Sequence, residues 1–301
     1  MKKLKAWVSA ARLRTLPLSV AGIIMGSAFV YATPNWNATI FWLAILTTLA
    51  LQVLSNFAND YGDGVKGTDN HERTGPQRAL QSGALTDKEL KKGIILNSTL
   101  AFILSCLLIY EAFGSEFIVN SILFLSLGII AIVAAIKYTV GDTAYGYKGL
   151  GDVFVFLFFG LVSVMGSYFL YTKNIDLKII FPAIGIGFLS AAVLNLNNMR
   201  DLVGDKKSNK ITLVVKLGFK NAKIYHSFLI VLGLFFSLFS IGLEAQNLID
   251  LLPFLFVSTL FIHLIKVHKT TIPKDLDPEL KKVALSTFGI SLAWMLLNLF
   301  N

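Results

Sequence analysis

Two acidic stretches hold the side chains best suited to chemistry. In the first, Asn56, Asp60 and Asp63 recur at intervals of four and three residues, so a helix continued through them presents all three on one face. Gly62, Gly64 and Gly67 then permit a backbone turn that can bring Asp69 back toward the same point. In the second, Asn197, Asp201 and Asp205 follow at four-residue spacing, with Asn198 and Arg200 beside the stripe and Lys210 after it. Carboxylates packed this closely need a cation to neutralise them. Oxygen donors from Asp and Asn suit Mg2+, which keeps several waters and completes its octahedron with phosphate oxygens. Taken singly, the first cluster also reads as a solvated acidic loop, and the second as a polar cap or interhelical hydrogen-bond cluster. Their pairing at one membrane face favours metal binding.

The rest of the chain says what kind of helices carry these stripes. Hydrophobic residues make up 55% of the 301 and charged ones 15%, below the roughly 25% of a soluble domain. Apolar runs predict membrane spans over 16–31, 39–57, 93–113, 117–136, 153–171, 179–196, 224–243, 251–267 and 283–299. The expected fold is all-α: a polytopic membrane protein, with residues 1–301 forming a single transmembrane domain. With the amino terminus placed inside, only Lys173 and Lys178 of the 27 Lys and Arg fall outside, which fixes the orientation. The formal charge of +9 is therefore a topology signal, and nucleic acid is not an expected partner. The basic start (Lys2, Lys3, Lys5) and the apolar run after it imitate a secretory signal, but the basic region continues through Arg12 and Arg14 and eight spans follow, so an uncleaved first helix is expected. The two long polar loops, 58–92 and 197–223, both lie inside. Each follows an even-numbered span ending in asparagine and then aspartate, a weak internal repeat of four helices plus one extra.

Mg2+-binding patches at a membrane surface call for a ligand anionic at one end and apolar at the other, and a lipid diphosphate meets both demands. Bound metal and nearby cations would take up the charge growing on a departing diphosphate. Arg78 is the best placed of these cations, presented by a turn, followed by Lys137 and Lys210. Lys206 and Lys207 read as topology lysines. An allylic carbocation needs a dry site with aromatic faces, for which Tyr138, Phe154, Phe156, Phe158 and Phe159 are candidates. Cys106 lies within an apolar run and reads as packing; a lone cysteine forms no disulfide framework. His71, His226, His263 and His268 lack the spacing of a zinc or haem site, His263 and His268 being five apart. The glycines after Asp60 lack the Lys-Ser/Thr of a nucleotide-binding loop.

Over residues 7–299 the chain resembles the intramembrane aromatic prenyltransferases of the UbiA superfamily. Asn56, Asn59, Asp60, Asp63 and Asp69 match the first motif of that superfamily, and Asn198, Asp201 and Asp205 the second. The stretches 10–17, 59–63, 145–152 and 210–218 most resemble its menaquinone-pathway branch. The resemblance implies about nine helices around a central cavity; the apolar runs and the Lys and Arg distribution predict the bacterial inner membrane, in contact with its lipid, with the amino terminus and the active-site loops in the cytoplasm. It further implies Mg2+-dependent transfer from a polyprenyl diphosphate to 1,4-dihydroxy-2-naphthoate with loss of the carboxylate, giving demethylmenaquinone. In that scheme Asp60, Asp63, Asp201 and Asp205 serve Mg2+, directly or through water, with Asn56 and Asn198 as supporting polar ligands at the substrate. Arg78, Lys137 and Lys210 would bind diphosphate, and Tyr138 would steady the carbocation. Asp69 would act as a base or orient the acceptor. Two positions depart from the family pattern: Leu13 replaces a frequent proline, and Asn209 a usual glycine. Other acceptors, 4-hydroxybenzoate or haem, stay open. A secondary transporter would place ionisable groups near the bilayer midplane, where these spans carry no acidic residue.

Overall fold

A computed structural model describes residues 2–69 and 75–299. Among these residues, nine helical segments are long and apolar enough to cross a membrane: span 1 (Lys3–Ala28), span 2 (Ala38–Val65), span 3 (Asp87–Phe113), span 4 (Ile118–Lys137), span 5 (Gly151–Thr172), span 6 (Leu177–Lys207), span 7 (Leu213–Glu244), span 8 (Leu248–Lys269) and span 9 (Pro273–Leu297). The number matches the sequence expectation. Spans 2 and 6 run well past the apolar stretches expected to end at 57 and 196, so both acidic stripes are helical. Span 1 is not one straight helix. An amphipathic helix, Lys2–Ala11, breaks at Arg12, whose φ of 51° is left-handed, before the apolar helix Leu16–Ala28 begins with Pro17 in its first turn.

Span 1 packs against spans 2, 5, 6 and 9, while span 6 packs against spans 5, 7 and 9. Their inward faces form one apolar core that includes Met25, Ile186, Leu189 and Ile290. Span 4 instead leaves Val119, Ile122 and Ile130 exposed, as suits a helix bathed in lipid. Under the amino-terminal helix a smaller cluster gathers Leu54, Ala79, Leu85 and Leu90, with Trp7 edge-on to Phe57 at 5.1 Å.

The two acidic helices end alike. Past span 2, Gly67 adopts φ 72° and the Thr68 amide donates to the Asp63 carbonyl at 3.0 Å. Past span 6, Asn209 adopts φ 55° and the Lys210 amide donates to the Asp205 carbonyl at 2.9 Å. Both are left-handed caps that satisfy the last carbonyls, and asparagine is the residue after glycine that best tolerates that position. The departure at Asn209 is thereby explained. The matching caps set a register between the halves, Asp63 with Asp205, Asn59 with Asp201 and Asn56 with Asn198.

Candidate active site

One end of the bundle opens into a cavity of about 630 Å³, lined by spans 1 to 6 and span 9. Its polar end carries Arg12, Arg14, Asn59, Asp63, Arg78, Asn197, Asn198 and Lys210, and its remainder is mostly apolar, reaching Ala44, Ile109 and Phe124.

Asp63 is the centre of the polar end. Because span 2 continues to Val65, its carboxylate reaches the cavity beside Asn59, one helical turn earlier. It is 5% exposed; the Lys210 ammonium donates to both of its oxygens at 3.2 and 3.1 Å, and the Tyr147 hydroxyl donates to one at 2.8 Å. Thr68 completes the chain by donating to Tyr147 at 2.7 Å, since the single Tyr147 proton is already committed. Burial pushes the Lys210 ammonium toward neutrality, but Asp63 and Asp205 outweigh it and hold the pKa above the usual lysine range. Lys210 is therefore a fixed positive charge. The one Thr139 hydroxyl proton is shared between the Ala58 carbonyl at 3.0 Å and the Asn59 side-chain oxygen at 3.2 Å.

Asp69 is buried and lies 3.6 Å from Nε of Arg78, which lines the cavity. Asp60, by contrast, does not share a face with Asp63 in the way its spacing suggests. It is fully buried, lines no part of the cavity, and accepts from the backbone amides of Ala79 and Leu80 at 3.1 and 3.2 Å. Asn56 is likewise turned to packing, donating to the Ala11 carbonyl at 2.8 Å and to Thr15 at 3.2 Å, so it secures the break in span 1.

On span 6, Asn197 and Asn198 line the cavity. Arg200, 1% exposed, grips Asp201 through two bonds of 2.8 and 2.6 Å, Asp277 at the start of span 9 at 2.6 Å, and Asn197 at 2.8 Å. Asp205 is buried and close enough to Lys210 to help hold its charge. The four aspartates expected to serve Mg2+ from two acidic patches thus differ in their partners, and among the described residues no three acidic, histidine or cysteine side chains gather closely enough to hold an ion by themselves.

Tyr138 lines the cavity and meets Tyr145 edge-on at 5.3 Å; Tyr145 stacks on Phe154 at 3.9 Å, and Phe158 continues the wall. Phe158 and Phe159 reach the cavity where span 5 widens into a π-helix over Phe156–Met165. Phe156 packs on Phe188 instead. Burial raises the Tyr138 and Tyr147 phenols, reinforced by Asp63, so both stay protonated. Lys137 is exposed and lies outside the lining. His226, His263 and Glu279 form a buried chain with links of 2.8 and 2.7 Å that ties spans 7, 8 and 9, and none of the three lines the cavity. His71 lies outside the described residues. Sequence reasoning missed the roles of Tyr147, Thr68 and Asp277; Tyr147 lay within the 145–152 stretch already singled out, with no spacing to mark it.

The donor chemistry fits a hard divalent cation. Asp63, Asn59 and Asn198 offer only oxygen ligands or amides at the cavity, and the Lys210 ammonium already stands on the Asp63 carboxylate as a cation would. Mg2+ typically takes only one or two protein carboxylates and draws its other ligands from water and phosphate.

The fold and site define a polytopic helical membrane protein with a cationic and oxygen-rich pocket leading into an apolar cavity. The chain belongs to the UbiA prenyltransferase family, whose model matches residues 19–300. It is 45% identical to the 1,4-dihydroxy-2-naphthoate octaprenyltransferase of Haemophilus influenzae over 98% of this chain and 96% of that one. Identity to the Escherichia coli enzyme of the same name is 42%, over 80% of this chain and 79% of that one. Among solved structures it is similar to a UbiA homolog from Archaeoglobus fulgidus bound to GPP and Mg2+, with a TM-score of 0.66 at 16% identity, covering 98% of this chain and 99% of that one.

Proposed function

We propose that this chain transfers a polyprenyl group from a polyprenyl diphosphate to 1,4-dihydroxy-2-naphthoate, with loss of the acceptor's carboxylate, at the polar end of the cavity. The observation that carries the reading is the buried Asp63–Lys210–Tyr147 group standing where a cationic pocket meets an apolar cavity. The names of the H. influenzae and E. coli relatives support the acceptor. Lys210 and Arg78 bind the diphosphate oxygens as charge-assisted donors. Mg2+ would supply charge neutralisation at the departing diphosphate, and Asp63, Asn59, Asn198 and the buried Asp205 would be the oxygen donors that hold it, with Asp201 set in place by Arg200.

As the carbon–oxygen bond of the donor breaks, its electron pair leaves with the diphosphate. The faces of Tyr138, Tyr145 and Phe154 stabilise the allylic cation through their quadrupoles and exclude water. The ring carbon bearing the carboxylate attacks that cation. Carbon dioxide then departs, and the electron pair of its bond restores the aromatic ring, giving the quinol form of demethylmenaquinone. No ring proton is removed, so the step needs no external base, and Asp69 serves by holding Arg78. The prenyl tail lies in the apolar remainder of the cavity. The chain is a single transmembrane domain over 1–301 in the bacterial inner membrane, and the positive-inside distribution supports an orientation with its amino terminus and this site toward the cytoplasm.

The test is prenyl transfer by the purified protein in nanodiscs, with labelled polyprenyl diphosphate and either 1,4-dihydroxy-2-naphthoate or 4-hydroxybenzoate, in Mg2+ or in EDTA. A product from the naphthoate alone, abolished by EDTA, is expected. A product from the benzoate alone would replace the acceptor, and no product from either would overturn the reading.

A further inference from the structure

We infer that Asp60 is a positioning residue: its buried carboxylate fastens the Arg78–Leu80 turn onto the end of span 2, and so fixes the Arg78 guanidinium at the cavity, without serving a metal. Three observations carry this. First, both carboxylate oxygens are committed, Oδ2 to the Ala79 amide at 3.1 Å and Oδ1 to the Leu80 amide at 3.2 Å, in a side chain with no exposure. Two successive backbone N–H groups make an anion-binding concavity, and here the anion is built into the neighbouring helix. Second, the same face of span 2 is shaped for the turn one helical turn further on. A Cβ on Gly64 would stand 2.5 Å from Cδ2 and 3.1 Å from Cγ of Leu80, so glycine lets the Leu80 side chain lie against the helix. The turn itself is knit by the Ser82 amide to the Arg78 carbonyl at 2.9 Å and the Leu85 amide to the Ala79 carbonyl at 3.1 Å, with Ala79 and Leu85 buried. Third, the register set by the matching helix caps pairs Asp63 with Asp205 and Asn59 with Asp201, but pairs Asp60 with Leu202, which packs against the apolar core. The second half of the molecule thus builds its cluster with no counterpart to Asp60.

The consequence is a division of labour within one acidic motif. Asn59 and Asp63 face the reaction, while Asp60 acts at one remove, through the turn that presents Arg78. The inference rests on the reading of Arg78 as a diphosphate ligand, and its test separates the two. Mn2+ binding to the purified protein, followed by its electron paramagnetic resonance signal with the prenyl diphosphate present, is compared for wild type, Asp60→Asn, Gly64→Ala and Asp63→Asn. The KM for prenyl diphosphate is measured for the same variants and for Arg78→Gln with and without Asp60→Asn.

Asp60→Asn is expected to raise that KM about tenfold, the scale of losing one charge-assisted hydrogen bond, Gly64→Ala to raise it by a smaller factor of about two to three through the displaced Leu80 side chain, and both to leave the Mn2+ signal at the wild-type level, whereas Asp63→Asn weakens it. On an Arg78→Gln background, Asp60→Asn is expected to change KM less than twofold. Mn2+ binding lost in Asp60→Asn as in Asp63→Asn would overturn the inference, as would full multiplication of the Asp60 and Arg78 effects. If Arg78→Gln alone left KM unchanged, the fault would lie in the diphosphate reading of Arg78, and the inference would fall with it. Gly64→Ala keeps the carboxylate and keeps the test decisive should Asp60→Asn fold poorly.

Discussion

Replacing Lys210 by methionine should destabilise the protein measurably before any substrate is added. The substitution removes the ammonium that touches both oxygens of Asp63 and leaves a carboxylate that is 5% exposed, with the Tyr147 hydroxyl still donating to it. The two side chains of the pair are 10% and 7% exposed, so solvent replaces little of the lost contact. Breaking a buried pair from one side costs about 3–5 kcal/mol, and the retained Tyr147 bond places the loss near the lower end, about 3 kcal/mol. For a chain of this size that corresponds to a melting temperature lower by roughly 6 °C. The assay is thermal unfolding in one detergent with EDTA present, so that no metal takes the place of the ammonium. Asp63→Asn combined with Lys210→Met removes both charges and should recover most of the loss, leaving about 1 kcal/mol. A Lys210→Met variant melting within about 1 °C of wild type, or a double variant no more stable than the single one, would refute the coupling drawn between these residues.

Further expectations follow from the same geometry. Tyr147→Phe removes the donor to Asp63 at 2.8 Å while keeping the ring, so kcat/KM should fall about tenfold with less than about 2 kcal/mol of stability lost; unchanged kinetics would count against a role for this hydroxyl. Asn209→Gly should be neutral or slightly stabilising because φ is 55° there, whereas Asn209→Val should cost about 1–2 kcal/mol and raise the KM for prenyl diphosphate by displacing Lys210, as steady-state kinetics and melting curves together would show. His263→Leu leaves Glu279 and His226 without their 2.7 and 2.8 Å partner, so it should cost about 2–4 kcal/mol yet leave KM and kcat at 25 °C within twofold; a large KM change would show that the buried chain reaches the cavity.

The span pattern was readable in the sequence because lipid makes one simple demand, an unbroken apolar helix, and the runs at 16–31, 39–57 and their successors meet it. The helical continuation of the acidic stripes was readable too, from the four-residue spacing of Asn197, Asp201 and Asp205. The aim of each carboxylate was not. Asp60 and Asp63 are equal in type and three residues apart, and what separates them is a turn arriving from 79 and 80, whose contact is tertiary. Tyr147 reaches Asp63 across 84 residues of sequence, and Arg200 reaches Asp277 across 77, separations at which no local pattern speaks. Asn209 shows the reverse case, where a departure from glycine resolves once its backbone angle is known.

The central claim is that one site breaks the bond to diphosphate and uses the loss of the acceptor's carboxylate to complete the transfer. Its most direct measurement follows purified protein in nanodiscs with Mg2+, tritiated polyprenyl diphosphate and 1,4-dihydroxy-2-naphthoate carrying 14C in the carboxyl group, counting released carbon dioxide and prenylated product in the same sample. The account expects the two to appear in equal amounts and to vanish together in Asp63→Asn. Prenylated product that retains the 14C label, or transfer that persists undiminished without Asp63, would contradict it.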